Sequence, residues 1–237
     1  MAVILNIETA TRVCSVSLAV DGVVKAIKES KVKNSHAEQI TLFSEMVIKK
    51  AGFGFNDLDA IAVSKGPGSY TGLRIGVSTA KGYCFALDIP LISIGTLDAM
   101  ALGLVYALRN KKQKLDAYLY CPMIDARRME VYDAVYDYNL NKVKNISATI
   151  LEENTYHDFL KRHAMVFGGD GAEKAKALYF NNPHKTYFLD GFEPSSMYMA
   201  ELAEKKFNKN IFEDTAYFEP YYLKEFVAGI SRVKGLR

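Results

Sequence analysis

Apolar and polar positions divide the chain into short extended runs and longer helical ones. Ala2 to Ile7 is apolar except at Asn6 and reads as a buried strand. Val13 to Val20 alternates with small residues and ends at Asp21-Gly22, a hairpin signal. Val23 to Lys31, charged at alternate positions, is its expected partner. Ser35-His36-Ala37-Glu38 has the form of a capping box and opens a helix to about Ala51, closed by Gly52. On that helix Ala37, Ile40, Phe43, Val47 and Ala51 share one face. Leu42 and Met46 lie outside it, an apolar arc wider than one sheet has to cover. Leu58 to Val63 is the next strand, Pro90 to Ile94 another, and Gly95-Thr96-Leu97-Asp98 leads into a helix ending near Arg109.

Between those two strands lies the most distinctive stretch, Ser64 to Leu87. It begins as a glycine- and proline-rich loop, Lys65-Gly66-Pro67-Gly68-Ser69, and continues as a helix from Thr71. Gly66 and Gly68 are expected to take backbone angles closed to other residues. A strand that runs through such a loop into a helix presents backbone N–H groups where anions bind. Most such junctions merely turn the chain, and this one has neither a Walker ending nor GxGxxG spacing. Gly72, Gly76 and Ala80 recur every four residues, so one stripe of the helix is almost bare and another backbone is expected close to it.

After the polar stretch Asn110 to Lys114, taken as the boundary between residues 1–109 and 110–237, the order begins again. Leu115 to Ile124, Met129 to Asp137 and Val143 to Leu151 read as strands and Thr155 to Arg162 as a helix. Met165 to Gly168 is a short strand that enters a second glycine loop, Gly168-Gly169-Asp170-Gly171. A short helix, Glu173 to Tyr179, an extended Lys185 to Leu189 and a helix Ser195 to Phe207 complete the second half, whose last helix and tail are expected to pack back on the first. The order βββαβαβα thus occurs twice without any detectable sequence repeat. Composition adds boundaries only. A net charge of +3 does not by itself call for a nucleic-acid partner, and three scattered cysteines in apolar runs fit a reduced, cytoplasmic setting. No apolar run approaches membrane-span length, and the N-terminus lacks the basic region of a signal segment.

A doubled βββαβαβα resembles the α/β two-lobed fold shared by actin, sugar kinases and heat-shock chaperones (ASKHA). More specifically, Asn6-Ile7-Glu8-Thr9-Ala10, Lys65 to Gly76, Ile124-Asp125-Ala126-Arg127-Arg128-Met129-Glu130-Val131-Tyr132 and Pro220-Tyr221-Tyr222-Leu223-Lys224 resemble the TsaB (YeaZ) family, also labelled glycoprotease-like. The resemblance implies an accessory, non-catalytic subunit in threonylcarbamoyladenosine modification of tRNA. It would bind and activate a catalytic TsaD-type paralogue and recruit a TsaE-type ATPase, and would form a homodimer when alone. It also implies a partner surface on the two helices of the first half, through His36, Ile40, Leu42, Phe43, Met46, Gly72, Leu73, Gly76, Val77 and Ala80. No cofactor or membrane is implied, and contact with tRNA is expected to be only indirect or weak. The basic tail Ser231 to Arg237 is one place for such contact.

The residues themselves bear on catalysis. The paralogue's His-x-x-x-His metal pair would align with Thr96 and Met100, neither of them a useful ligand for a hard or borderline ion. His36, His157, His163 and His184 form no such pair. Thr9, Gly66, Gly68, Ser69, Gly169 and Gly171 are the candidate phosphate or nucleotide loops, and they keep open the alternative of an ATP-dependent phosphotransferase or ATPase of the same fold. Asp125 and Glu130 read either as an acid/base pair or as an ion cluster neutralised across a hairpin turn by Arg127 and Arg128.

Overall fold

The computed structural model describes residues 1–32, 36–109, 115–179 and 185–224. The linker 110–114, His184, the tail 231–237 and Ser35 of the capping box lie outside them. The first half forms β1 (Val3–Glu8), β2 (Cys14–Val20), β3 (Val23–Ser30), α1 (His36–Lys50), β4 (Ala60–Gly66), α2 (Tyr70–Leu87), β5 (Leu91–Gly95) and α3 (Thr96–Arg109). The second forms β6 (Tyr118–Asp125), β7 (Glu130–Tyr136), β8 (Lys142–Ile150), α4 (His157–Arg162), β9 (Ala164–Gly168), α5 (Ala172–Tyr179), β10 (Thr186–Leu189) and α6 (Ala200–Phe207). The sheets have matching orders, β3-β2-β1-β4-β5 and β8-β7-β6-β9-β10. In each, three antiparallel strands continue into two parallel ones. The duplication read from the sequence is therefore a duplication of topology.

Many ends shifted by a residue or two, and three shifts change how the elements join. Leu115–Ala117 is a 3-10 turn, so β6 starts at Tyr118. β4 runs on into the glycine loop as far as Gly66. The last helix is two pieces. Ser195 caps a 3-10 turn, Ser196–Met199, with its hydroxyl accepting from the Met197 N–H, before α6 proper begins.

The core lies in separate layers. α1 and α2 cover one face of the first sheet through Ile40, Phe43, Val47, Val77 and Ala80 packed on Leu5, Ile7, Val16 and Ile61. The opposite face, Ile4, Ala62, Ile92 and Ile94, is covered by Met199 and Ala203 from the second half. Conversely α3, from the first half, packs through Leu97, Met100, Ala101 and Leu104 on Tyr120, Ile124, Tyr136 and Val166 of the second sheet. Each half thus lends a helix to the other. The exchange leaves an open cleft on the side where β1, β4 and β6 end.

Candidate functional site

The cleft encloses about 1290 Å³. Its walls are the β1–β2 turn (Ala10–Arg12), the start of α2 (Gly68–Thr71), the β6–β7 turn (Ile124–Glu130), Asp170 and the C-terminal segment Tyr222–Lys224. Beneath it Glu8 is fully buried, its Oε1 accepting from the Ala10 N–H at 2.6 Å and the Ser64 hydroxyl at 2.9 Å. Burial raises its pKa to about 7, against the lowering pull of those same hydrogen bonds, so near neutrality the carboxyl is half protonated. Such a group tethers β1 to β4; it is not a solvated anion waiting for a metal.

The glycines work by close approach. Gly66 is the left-handed residue of the first loop, with φ +109°. Gly68, expected to share that conformation, does not. It is required because a Cβ there would stand 2.3 Å from the Ala10 carbonyl oxygen, which accepts the Ser69 N–H at 2.6 Å. A Cβ at Gly72 would stand 2.2 Å from the Thr9 carbonyl oxygen, and one at Gly76 would stand 2.3 Å from the Thr9 Oγ1. In the second loop a Cβ at Gly169 would meet the Met123 carbonyl oxygen at 2.0 Å, and one at Gly171 would meet Ile124. Of the six candidate phosphate-loop residues, Gly68 and Ser69 line the cleft. Thr9 and Gly66 are buried beneath it, Gly66 against the Tyr221 carbonyl.

The β6–β7 turn corrects a second expectation. Asp125 is paired with Lys174 at 3.0 Å and Glu130 with Lys224, not with the adjacent arginines. Arg127 and Arg128 stand at φ +73° and +47° and are exposed, and among the described residues neither guanidinium makes a hydrogen bond or ion pair. Across the cleft, Arg12 and Lys31 both reach Glu193. Burial would raise that carboxyl, but the two cations hold it below its ordinary value. The C-terminal segment closes one side: Tyr221 donates its N–H to the Lys65 carbonyl at 2.7 Å, and Tyr222 packs its ring tilted against Tyr70 and accepts from Arg74.

The expected partner surface also looks different in three dimensions. Ile40, Phe43, Gly72, Leu73, Gly76, Val77 and Ala80 are buried inside their own half, with Gly72 and Gly76 of the bare stripe against Thr9 and Ala80 in the core. The backbone expected beside that stripe is the chain's own. His36 is buried too, its ring held by the Thr11 carbonyl at 2.9 Å. Leu42 and Met46 do face outward, 53% and 44% exposed. Phe85, which pattern reasoning passed over, is 88% exposed at the end of α2. Its signal was phase: it falls one position beyond the buried series Leu73, Val77, Ala80, Cys84.

Comparison with known proteins follows the same lines. The family model described as "TsaD: tRNA N6-adenosine threonylcarbamoyltransferase" matches residues 26–231. The Escherichia coli "tRNA threonylcarbamoyladenosine biosynthesis protein TsaB" is 34% identical over 161 residues, 67% of this chain and 66% of that protein. A crystal structure of a Pseudomonas aeruginosa protein "with similarity to peptidase YEAZ" superposes with TM-score 0.74 and 21% identity, covering 94% of this chain and 100% of that one. The chain belongs to the TsaB (YeaZ) family. The matched stretches span between about half and two-thirds of the first curated TsaB relatives. The wider fold is that of the ASKHA proteins. The Acidaminococcus fermentans (R)-2-hydroxyglutaryl-CoA dehydratase component A shares it at TM-score 0.52 and 9% identity, over 87% of this chain and 99% of that one.

In this TsaB-family chain the two positions expected from the resemblance to align with a metal pair are packed away. Thr96 and Met100 are fully buried, Met100 within the layer joining α3 to the second sheet. Among the described residues no group of three or more His, Cys, Asp or Glu is arranged to hold a metal, and no helix is long and apolar enough to cross a membrane.

Proposed function

We propose that the chain is the accessory subunit of a tRNA threonylcarbamoyladenosine-forming complex, acting by binding and activating a TsaD-type catalytic paralogue and recruiting a TsaE-type ATPase. The observation that carries this reading is the outward face of α1 and α2. On α2, Thr71, Ile75, Ser78, Gly82 and Phe85 follow one another at spacings of four, three, four and three and are exposed or half-buried. On α1, Gln39, Leu42 and Met46 do the same. That is the seam of a helix bundle, with small uncharged residues that let a partner helix approach and Leu42, Met46 and Phe85 supplying apolar area. A second copy docking on the same seam gives an isologous homodimer that competes with the paralogue.

The burial of Thr96 and Met100 supports a non-catalytic role, because the positions where the resemblance would put a metal pair are committed to the core. A phosphotransferase would instead show saturable nucleotide binding by the pure chain. Sedimentation of Leu42→Asp and Phe85→Asp, alone and mixed with the paralogue, tests the reading. The expected result is a folded monomer that no longer binds; wild-type association by both variants would place the interface elsewhere.

A further inference from the structure

We infer that Arg127 and Arg128, the paired arginines of the β6–β7 turn, hold phosphodiester groups of an RNA at the mouth of the cleft. The first ground is the backbone. Two consecutive non-glycine residues occupy the left-handed region, φ +73° and +47°, where Asn-Gly is the undemanding choice and a bulky side chain is disfavoured. A turn that carries two arginines against that preference is keeping the side chains for a use.

The second ground is charge. Three of the neighbouring acids are already matched, Asp125 by Lys174, Glu130 by Lys224 and Glu193 by Arg12 and Lys31, while Asp170 on the same wall accepts the Asp125 N–H at 2.9 Å. Among the described residues neither guanidinium has an ion-pair partner, so both add positive charge to the cleft wall. The third is placement: the N-terminus of α2, an 18-residue helix, opens onto the same cavity and favours anions there.

Both arginines are exposed at the rim, while Thr9 and Gly66 on the floor are sealed by the chain's own backbone. A backbone of phosphates crossing the mouth fits that arrangement better than a nucleotide seated within. The contact is direct, unlike the indirect one expected from the sequence. Choosing RNA rests on the proposed role in tRNA modification; the anion site does not.

The test titrates a fluorescent tRNA transcript with the full chain at low and moderate salt, comparing wild type with Arg127→Asn/Arg128→Gly. Because both replacements suit positive φ, this variant should melt a few degrees higher, so misfolding cannot explain a loss. RNA affinity at low salt should fall roughly tenfold or more. The slope of log affinity against log salt should become shallower by between about one and two, as expected for two lost phosphate contacts. Wild-type affinity and slope in the variant would overturn the site. Loss of ATP or triphosphate binding with RNA binding intact would overturn the choice of RNA, as would a wild-type chain that does not bind the transcript at low salt. Failure of the tRNA-modification role would look different: arginine-dependent RNA affinity, with modification that does not depend on the chain.

Discussion

Helix α2 carries its own control experiment for the claim that its glycines face inward. A Cβ at Gly72 would lie 2.2 Å from the Thr9 carbonyl oxygen, whereas a Cβ at Gly82, one face away on the same helix, would meet nothing within 4 Å. A backbone oxygen cannot swing aside as a flexible side chain can, so Gly72→Ala must push the β1–β2 turn off α2. Overpacking of this kind costs about 1–3 kcal/mol. The helical gain from glycine to alanine returns at most about 1 kcal/mol, and less so near a helix start. The net expectation is a loss of about 1–2 kcal/mol, or roughly 2–8 °C in Tm for a chain of this size. Gly82→Ala meets no resistance within its own chain and, melted at a dilution where the chain is monomeric, should gain up to about 1 kcal/mol, roughly 2–4 °C. Thermal melts followed by circular dichroism, with urea midpoints as a check, measure both. If Gly72→Ala is as stable as Gly82→Ala, α2 does not rest on Thr9 and the corrected orientation of the stripe is wrong.

Glu8 has its carboxyl raised from 4.5 to about 7 by burial, so between those pH values the native state keeps a proton that the unfolded chain has released. Its contribution is fully present below pH 4.5 and is lost as pH rises through 7, up to about 3 kcal/mol in all. Glu8→Gln should therefore flatten the fall in urea-unfolding stability between pH 5 and 8; an unchanged slope would show that another group is responsible. Asp133 is fully buried and accepts from Lys144 at 2.6 Å, Thr149 at 2.6 Å, Tyr156 at 2.6 Å and Ser147 at 3.1 Å. Asp133→Ala strands all of these donors and should cost about 3–5 kcal/mol, read as a lowered urea midpoint, with Asp133→Asn milder. An unfolding free energy within roughly 1 kcal/mol of wild type would mean the network is solvated rather than shared.

Much of the architecture was legible because local signals agreed with the global pattern. Asp21-Gly22 closes β2 and β3 as a hairpin, both residues at positive φ, and each of the paired glycine loops follows a buried strand. What the pattern could not give was the occupant of a face. Gly72, Gly76 and Ala80 announce a close neighbour, but periodicity does not say whether it is Thr9 or another chain. Gly68 looked like a conformational glycine and is a contact glycine, a distinction that depends on where the sequence-remote Ala10 lies. Adjacency in sequence suggested that Arg127 and Arg128 neutralise Asp125 and Glu130. Among the described residues the arginines of the left-handed turn make no ion pair, and Lys174 and Lys224, remote in sequence, reach the acids. Phe85 was visible as one apolar residue out of phase, a signal that needs the buried series beside it before it means exposure.

The central claim is that this chain serves tRNA modification through the α1–α2 face. The most direct measurement is threonylcarbamoyl transfer to tRNA by the purified TsaD-type paralogue and TsaE-type ATPase, with wild-type chain, with no chain, and with a folded Leu42→Asp/Phe85→Asp variant. Modification should require the chain and should fall to the no-chain level with the variant. Modification that proceeds at the same rate in all three reactions would contradict the account.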